Sequence, residues 1–191
     1  MEYWNNYNNE LLNFSEKLIF HNEKNDFNFI ENDLYNHVHD VLVLSLLLLG
    51  SNNNKKILDY GSNLIPWCNI CNKIKVDNLK VTIFDPFSID NKNIKLSENF
   101  FVNIINSAKS LNKNNYDFLI FGSSSQYINN FLEILDSEIL LNCNLVLFTH
   151  TPLSKNATFN SNQHTGFKGN QIIRSFEYLL GKMLDNNFDL I

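Results

Sequence analysis

Arginine is nearly missing. Of the fifteen basic residues in the 191-residue chain only Arg174 is an arginine, and the formal net charge is −5 with a pI near 5.5. An acidic chain with so little guanidinium is a poor electrostatic match for a phosphate backbone or an anionic membrane surface, which argues against both as partners. Three cysteines, an odd number, make no disulfide framework in a chain of this length. The opening MEYWNNYNNE lacks the basic-then-apolar layout of a signal peptide. The most apolar run, VLVLSLLLL at 41–49, is about half the length that crosses a bilayer. A reducing cytoplasm is the expected location. Alanine occurs only at Ala108 and Ala157 while asparagine is abundant, a bias that an AT-rich genome explains without reference to function.

What is present fits one domain with its own core. Residues 1–31 are polar but carry spaced aromatics (Tyr3, Trp4, Tyr7, Phe14, Phe20, Phe27, Phe29), the pattern of a lead-in segment that docks on the body at 32–191. Asn32 or Asp33 can cap a helix whose apolar positions Leu34, Val38, Val41, Leu42, Leu48 and Leu49 recur at helical spacing, ended by Gly50 and the loop SNNNKK. Strands are expected at KKILDY (55–60), KVTIFD (80–85), YDFLIFG (116–122) and NLVLFTH (144–150). Helices are expected from Pro66 to Lys75, over QYINNFLEILDSEIL (126–140), and from Gln171 to Leu184 after a polar loop. Between 92 and 112 the pattern suggests a short strand at Phe100–Val102, then a helix through Ile104, Ile105, Ala108 and Leu111. FDLI at the end reads as the start of one more strand. Apolar strands alternating with helices imply an α/β, doubly wound, mostly parallel sheet with helices on both faces.

Ligands of such sheets bind at the carboxyl ends of the strands, near the point where strand order reverses. Three polar clusters fall there: Asp59-Tyr60-Gly61-Ser62-Asn63, Asp85-Pro86-Phe87, and Gly122-Ser123-Ser124-Ser125-Gln126. Gly61 permits a sharp turn and a close approach of backbone to ligand. Asp85 can accept two ribose hydroxyls, and the glycine-serine turn offers backbone donors and small hydroxyls. A dinucleotide fingerprint needs three glycines and only Gly61 is there. Asp59 would repel a pyrophosphate, which favours a cofactor without phosphate and with an ammonium group.

The segments LDYGSNL, VTIFDPF, YDFLIFGSSSQYI and LVLFTHTPLS resemble, in order and spacing, class I S-adenosylmethionine-dependent methyltransferases. More narrowly they are similar to bacterial methyltransferases encoded near surface-polysaccharide genes, in which a Leu-Gln-Tyr-like turn and an Arg-Thr-Pro-like turn stand where this chain has Ser125-Gln126-Tyr127 and His150-Thr151-Pro152. The likeness covers roughly residues 30–185. It implies a Rossmann-like fold and S-adenosylmethionine as cofactor, with Asp59, Gly61, Ser62 and Asn63 on the methionine part, Asp85 on the ribose and Phe87 on the adenine. Ser123, Ser124 and Gln126 would line the cleft, and His150 would serve as base for O-methylation of a small molecule or sugar. Against the family pattern, the glycines are reduced to Gly61, and the strand pair that completes the sheet is missing at the C-terminus. A homodimer that covers the open edge, or a non-catalytic binding module that keeps the fold, are the readings those departures favour.

Other patterns compete. Trp67-Cys68-Asn69-Ile70-Cys71 matches a thiol-redox motif, in which a helix N-terminus lowers the thiol pKa; packing of Trp67, Cys68, Ile70 and Cys71 on the sheet explains the same residues. With only Cys143 besides, the pair gives zinc little support, and no metal is expected. Gly122-x-Ser124-x-Gln126, with Asp136 and His150 or His164 following, resembles a hydrolase nucleophile elbow without its closing glycine. His37 and His39 point apart on a helix, whereas His37 and Asp40 could share a metal or a solvated face. Arg174, Gln163 and His164 are possible substrate contacts, and an ion pair anchoring the last helix explains Arg174 equally well.

Overall fold

The computed structural model describes residues 55–62, 64–73, 78–86, 88, 91–111, 116–135, 138–141, 143–162 and 170–190. The lead-in segment, the helix assigned to 32–49 with His37, His39 and Asp40, and site candidates Asn63, Phe87, Asp136, Gln163 and His164 lie outside the described residues.

Six strands form a mostly parallel mixed sheet: β1 (Lys56–Tyr60), β2 (Leu79–Phe84), β3 (Lys92–Ser97), β4 (Phe100–Ile105), β5 (Phe118–Gly122) and β6 (Leu145–Thr149). Their order is β3-β4-β2-β1-β5-β6. All pairs are parallel except the β3–β4 hairpin. Among the described residues four short helices accompany them: α1 (Ile65–Lys73), α2 (Phe131–Leu135), α3 (Glu138–Leu141) and α4 (Phe176–Asp185).

The central strands β1 and β5 are mostly apolar and buried on both sides because both sides are covered. Ile57, Val81, Ile83, Val102, Ile104 and Ile120 form one core with Trp67, Cys68 and Ile70 of α1. Leu58, Tyr60, Phe84, Leu119 and Phe121 face the other, packed by Phe131, Ile134 and Leu135 of α2, Ile139 and Leu140 of α3 and Leu179 of α4. Register makes the sorting exact to the residue: Ile57 pairs with Val81 and Phe118, and Val81 with Val102, so same-face neighbours are apolar across the sheet. Among the described residues no helix is long and apolar enough to cross a membrane.

Four expectations fail locally. Residues 92–105 form a β-hairpin instead of one short strand and a helix. Ile104 and Ile105 belong to β4, where six residues pair with Leu79–Phe84 of β2, and only a 3₁₀ turn follows at Ala108–Ser110. A parallel partner and the β-branched Val102, Ile104 and Ile105 outweigh a helical spacing that Ala108 and Leu111 happen to continue. The expected helix over 126–140 is broken into a 3₁₀ turn at Ser125–Tyr127 followed by α2 and α3.

The polar loop after β6 carries a second sheet, β7 (Leu153–Ser154), β8 (Phe159–Asn162) and β9 (Asn170–Ser175), ordered β7-β9-β8. Residues 171–175 are therefore strand: Asn170–Ile173 pair antiparallel with β8, and Arg174 and Ser175 pair parallel with β7. The helix begins only where the Ser175 hydroxyl caps it by accepting the Tyr178 N–H at 3.3 Å. Finally, Phe188–Leu190 add no strand: Phe188 packs on the core beside Met183, and Leu190 is exposed.

Candidate functional site

The carboxyl ends of β1, β2, β5 and β6 share one rim because those strands are parallel, and the strand order reverses between β1 and β5. The described residues of the three polar clusters are brought to that rim, but the side chains divide the work differently from expectation.

Asp59 points into the core on the α1 side. Its side chain is 3% exposed, and Oδ2 accepts a hydrogen bond from Trp67 Nε1 at 2.7 Å. Gly61 takes φ +79°, the left-handed region that favours glycine, and its N–H donates to the Phe84 carbonyl at 2.8 Å. The close approach that excludes a side chain at Gly61 is to the protein itself: a Cβ there would meet Ser124 Cβ at 2.7 Å. Ser124 is buried, and its hydroxyl donates to the Tyr60 carbonyl. The turns after β1 and β5 are thus stitched together through two small residues. The role expected of Ser124 in lining the cleft is corrected: its hydroxyl holds a backbone carbonyl.

Asp85 and Ser62 remain half-buried on the rim and Gly61 is exposed. Asp85 follows β2 directly; its N–H donates to the Ile105 carbonyl at 2.9 Å and its carbonyl accepts the Ser88 N–H at 3.1 Å. That fixes the backbone of the acid at the tip of the strand.

Beside this rim lies an open cleft of about 630 Å³, lined by Ser123, Gln126, Phe148, His150, Thr151 and Gln171 among others. Such a volume lies in the ordinary range for small-molecule sites. Ser123 ends β5 at φ +54° and donates its N–H to the Thr149 carbonyl at 2.9 Å; His150 ends β6 at φ +48°. Two non-glycine residues in the left-handed region on adjacent strand ends mark a locally strained backbone, of the kind that gathers at working sites. The Thr151 hydroxyl lies 3.2 Å from Ser125 Oγ and donates to the Thr149 carbonyl at 3.3 Å, joining the turns after β5 and β6.

Under the cleft sits Arg174. Its two terminal nitrogens donate to the carbonyls of Ser125 and Ile128, each at 2.6 Å, and the guanidinium lies 4.5 Å from the centre of the Phe131 ring. It stands on β9 and is buried, and burial pulls its pKa below the ordinary value. Both roles weighed from the sequence give way to a third, a clamp on the 3₁₀ turn that carries Gln126.

The competing chemistries lose their groups. Ser124, the nucleophile of an elbow, is hydrogen-bonded to Tyr60 with an ordinary φ of −111°, and no α-helix follows it directly. Cys68 is buried, and burial pushes its thiol up to about 12, opposite to a redox cysteine; Cys71 is also raised, with Ser97 partly opposing. Among the described residues no group of three or more metal-binding side chains forms. No protein-family model and no curated protein matches the chain.

Proposed function

We propose that the chain is a Rossmann-like, S-adenosylmethionine-dependent methyltransferase that methylates a hydroxyl of a small molecule or sugar. One observation carries the reading: a left-handed glycine turn after β1 and an acid at the tip of β2 meet on the rim where strand order reverses. The residues present fit the cofactor. Asp85 is half-buried with its backbone fixed, suited to accept the two ribose hydroxyls, and the turn at Gly61 and Ser62 is open to solvent for the methionine part. Asp59 contributes from beneath the turn, its Oδ2 held by the Trp67 indole N–H.

When bound, S-adenosylmethionine supplies a methyl on a sulfonium that is already activated for displacement. The protein has chiefly to align an acceptor. The cleft beside the rim supplies that function: Ser123 and Gln126 line it at the end of β5, and His150 lines it at the end of β6, placed to take a hydroxyl proton.

The second reading is a binding module that keeps the fold without catalysis. It is favoured by the fact that Asp59 and Gly61 each have an internal reason for being what they are, Trp67 and Ser124. Calorimetric titration separates the two. The methyltransferase reading expects saturable heat with S-adenosylmethionine and with S-adenosylhomocysteine, weakened at least ten-fold by Asp85→Ala. Absence of heat at millimolar ligand would leave the binding module.

A further inference from the structure

Gln126 is 5% exposed, lines the cleft, and its Oε1 has no hydrogen-bond partner among the described residues. An unpaired buried acceptor is a standing cost to the fold, and an apolar residue of the same size would avoid it. The backbone that carries it is also held in place. Arg174 grips the carbonyls of Ser125 and Ile128, on either side of Gln126-Tyr127, so the turn cannot move away from the cleft without breaking two short hydrogen bonds. A bare, buried acceptor on a fixed turn at the wall of a cleft calls for a donor from a ligand.

The rest of the lining says what kind. None of the nine described lining residues is Asp, Glu, Lys or Arg. The nearby cation, Arg174, already spends both terminal nitrogens on carbonyls. An ionised ligand that gave up water there would find no carboxylate, ammonium or free guanidinium among the described lining residues to replace it, which disfavours it. The groups present are a carbonyl acceptor, hydroxyls, an imidazole and the apolar surfaces of Phe148, Pro152 and Leu153. Hydroxyls set around a ring with an apolar face match that combination.

We propose that the cleft at the carboxyl ends of β5 and β6 binds an uncharged, hydroxyl-bearing ring, with Gln126 Oε1 accepting a hydrogen bond from a ligand hydroxyl and Arg174 acting as its positioning residue. As the acceptor site it rests on the methyltransferase reading; as a binding site it stands without it.

Saturation-transfer NMR on the full chain tests it, without cofactor. The neutral probes are the methyl pyranosides of glucose, galactose, mannose and N-acetylglucosamine; the charged probes are glucuronate and glucose 6-phosphate. Binding of at least one neutral ring, tighter than either charged one, and a loss of about ten-fold or more in Gln126→Leu are expected. The proposal is overturned if no neutral ring binds, if a charged ring binds as tightly, or if Gln126→Leu binds unchanged. The comparison of neutral with charged rings in the unaltered protein decides even where Gln126→Leu fails to fold. Neutral-ring binding without calorimetric response to S-adenosylmethionine removes the methyltransferase reading and keeps this site. Cofactor heat without ring binding does the reverse.

Discussion

Trp67 and Asp59 are joined across the turn between β1 and α1: the indole N–H donates to a carboxylate oxygen at 2.7 Å, with both side chains inside the core. The tryptophan of the Cys-x-x-Cys segment is therefore the partner of the acid that precedes the glycine turn. Trp67→Phe keeps most of the packing and removes the donor, leaving a buried carboxylate oxygen without it. We expect a loss of about 1–3 kcal/mol in urea unfolding with an unchanged m value. Asp59→Asn, which still offers an oxygen to the indole, should cost less. Equal losses in the two variants would show that packing, not the hydrogen bond, matters at this turn.

The contact between Gly61 and Ser124 predicts a strained variant. Gly61→Ala places a Cβ 2.7 Å from Ser124 Cβ in a residue at φ +79°. The left-handed conformation alone costs a non-glycine residue about 1–2 kcal/mol, and overpacking adds about 1–3 kcal/mol. Ser124→Gly in the same chain should recover the steric part and keep the conformational part. A double-mutant cycle measures the difference, and strict additivity would mean that the two turns do not touch in solution.

How far the sequence carried this reading varies from element to element. β1, β2, β5, β6 and α1 were legible because each is an apolar run bounded by Gly, Asn or Asp, and apolar runs of that length have few alternatives in a layered fold. The hairpin at 92–105 carried a readable signal, Ile94 and Leu96 alternating with Asn93, Lys95 and Ser97, that a competing helical spacing masked. β9 was misread because Ile172, Ile173, Leu179 and Leu180 suit a helix face as well as a strand; Ser175, the actual cap, separates the two. At the site, the positions of Asp85, Gln126 and His150 followed from the strand ends. The partners of Asp59, Ser124 and Arg174 did not, since those contacts join residues up to 64 positions apart and depend on register.

Arg174 predicts a local effect that lysine cannot rescue. Its fork reaches two carbonyls three residues apart while its plane rests near Phe131, a geometry that one ammonium on a flexible stem does not reproduce. Arg174→Lys should speed amide exchange at Tyr127 and Ile128, whose N–H groups close the 3₁₀ turn on Ser124 and Ser125, while β1 and β2 stay protected. Arg174→Met leaves the Ile128 carbonyl without its guanidinium donor and the Ser125 carbonyl with the Ile128 N–H alone, and should cost roughly 1–3 kcal/mol. Unchanged exchange at the turn in Arg174→Lys would mean that the turn holds itself.

Alkaline pH should unfold this protein through its buried thiols. Burial pushes Cys68 and Cys143 from the ordinary 9.0 up to about 12, and Tyr60 from 10.0 up to about 12. In the unfolded chain these groups ionise at their ordinary values, whereas the native fold holds them protonated. Between those values the native state binds more protons than the unfolded one, so stability is complete below about pH 9 and falls as pH rises towards 12. Guanidinium midpoints at pH 7.5, 9.0 and 10.5 should show a flat stretch and then a decline. Cys68→Ala with Cys143→Ala should reduce the steepness of that decline, even from a lower starting stability. The same burial orders the thiols by reactivity at pH 8: half-buried Cys71 first, Cys68 and Cys143 only as denaturant opens the fold. A Cys68 that reacts fastest in the native protein would restore the redox reading, because a buried, protonated thiol cannot lead that race.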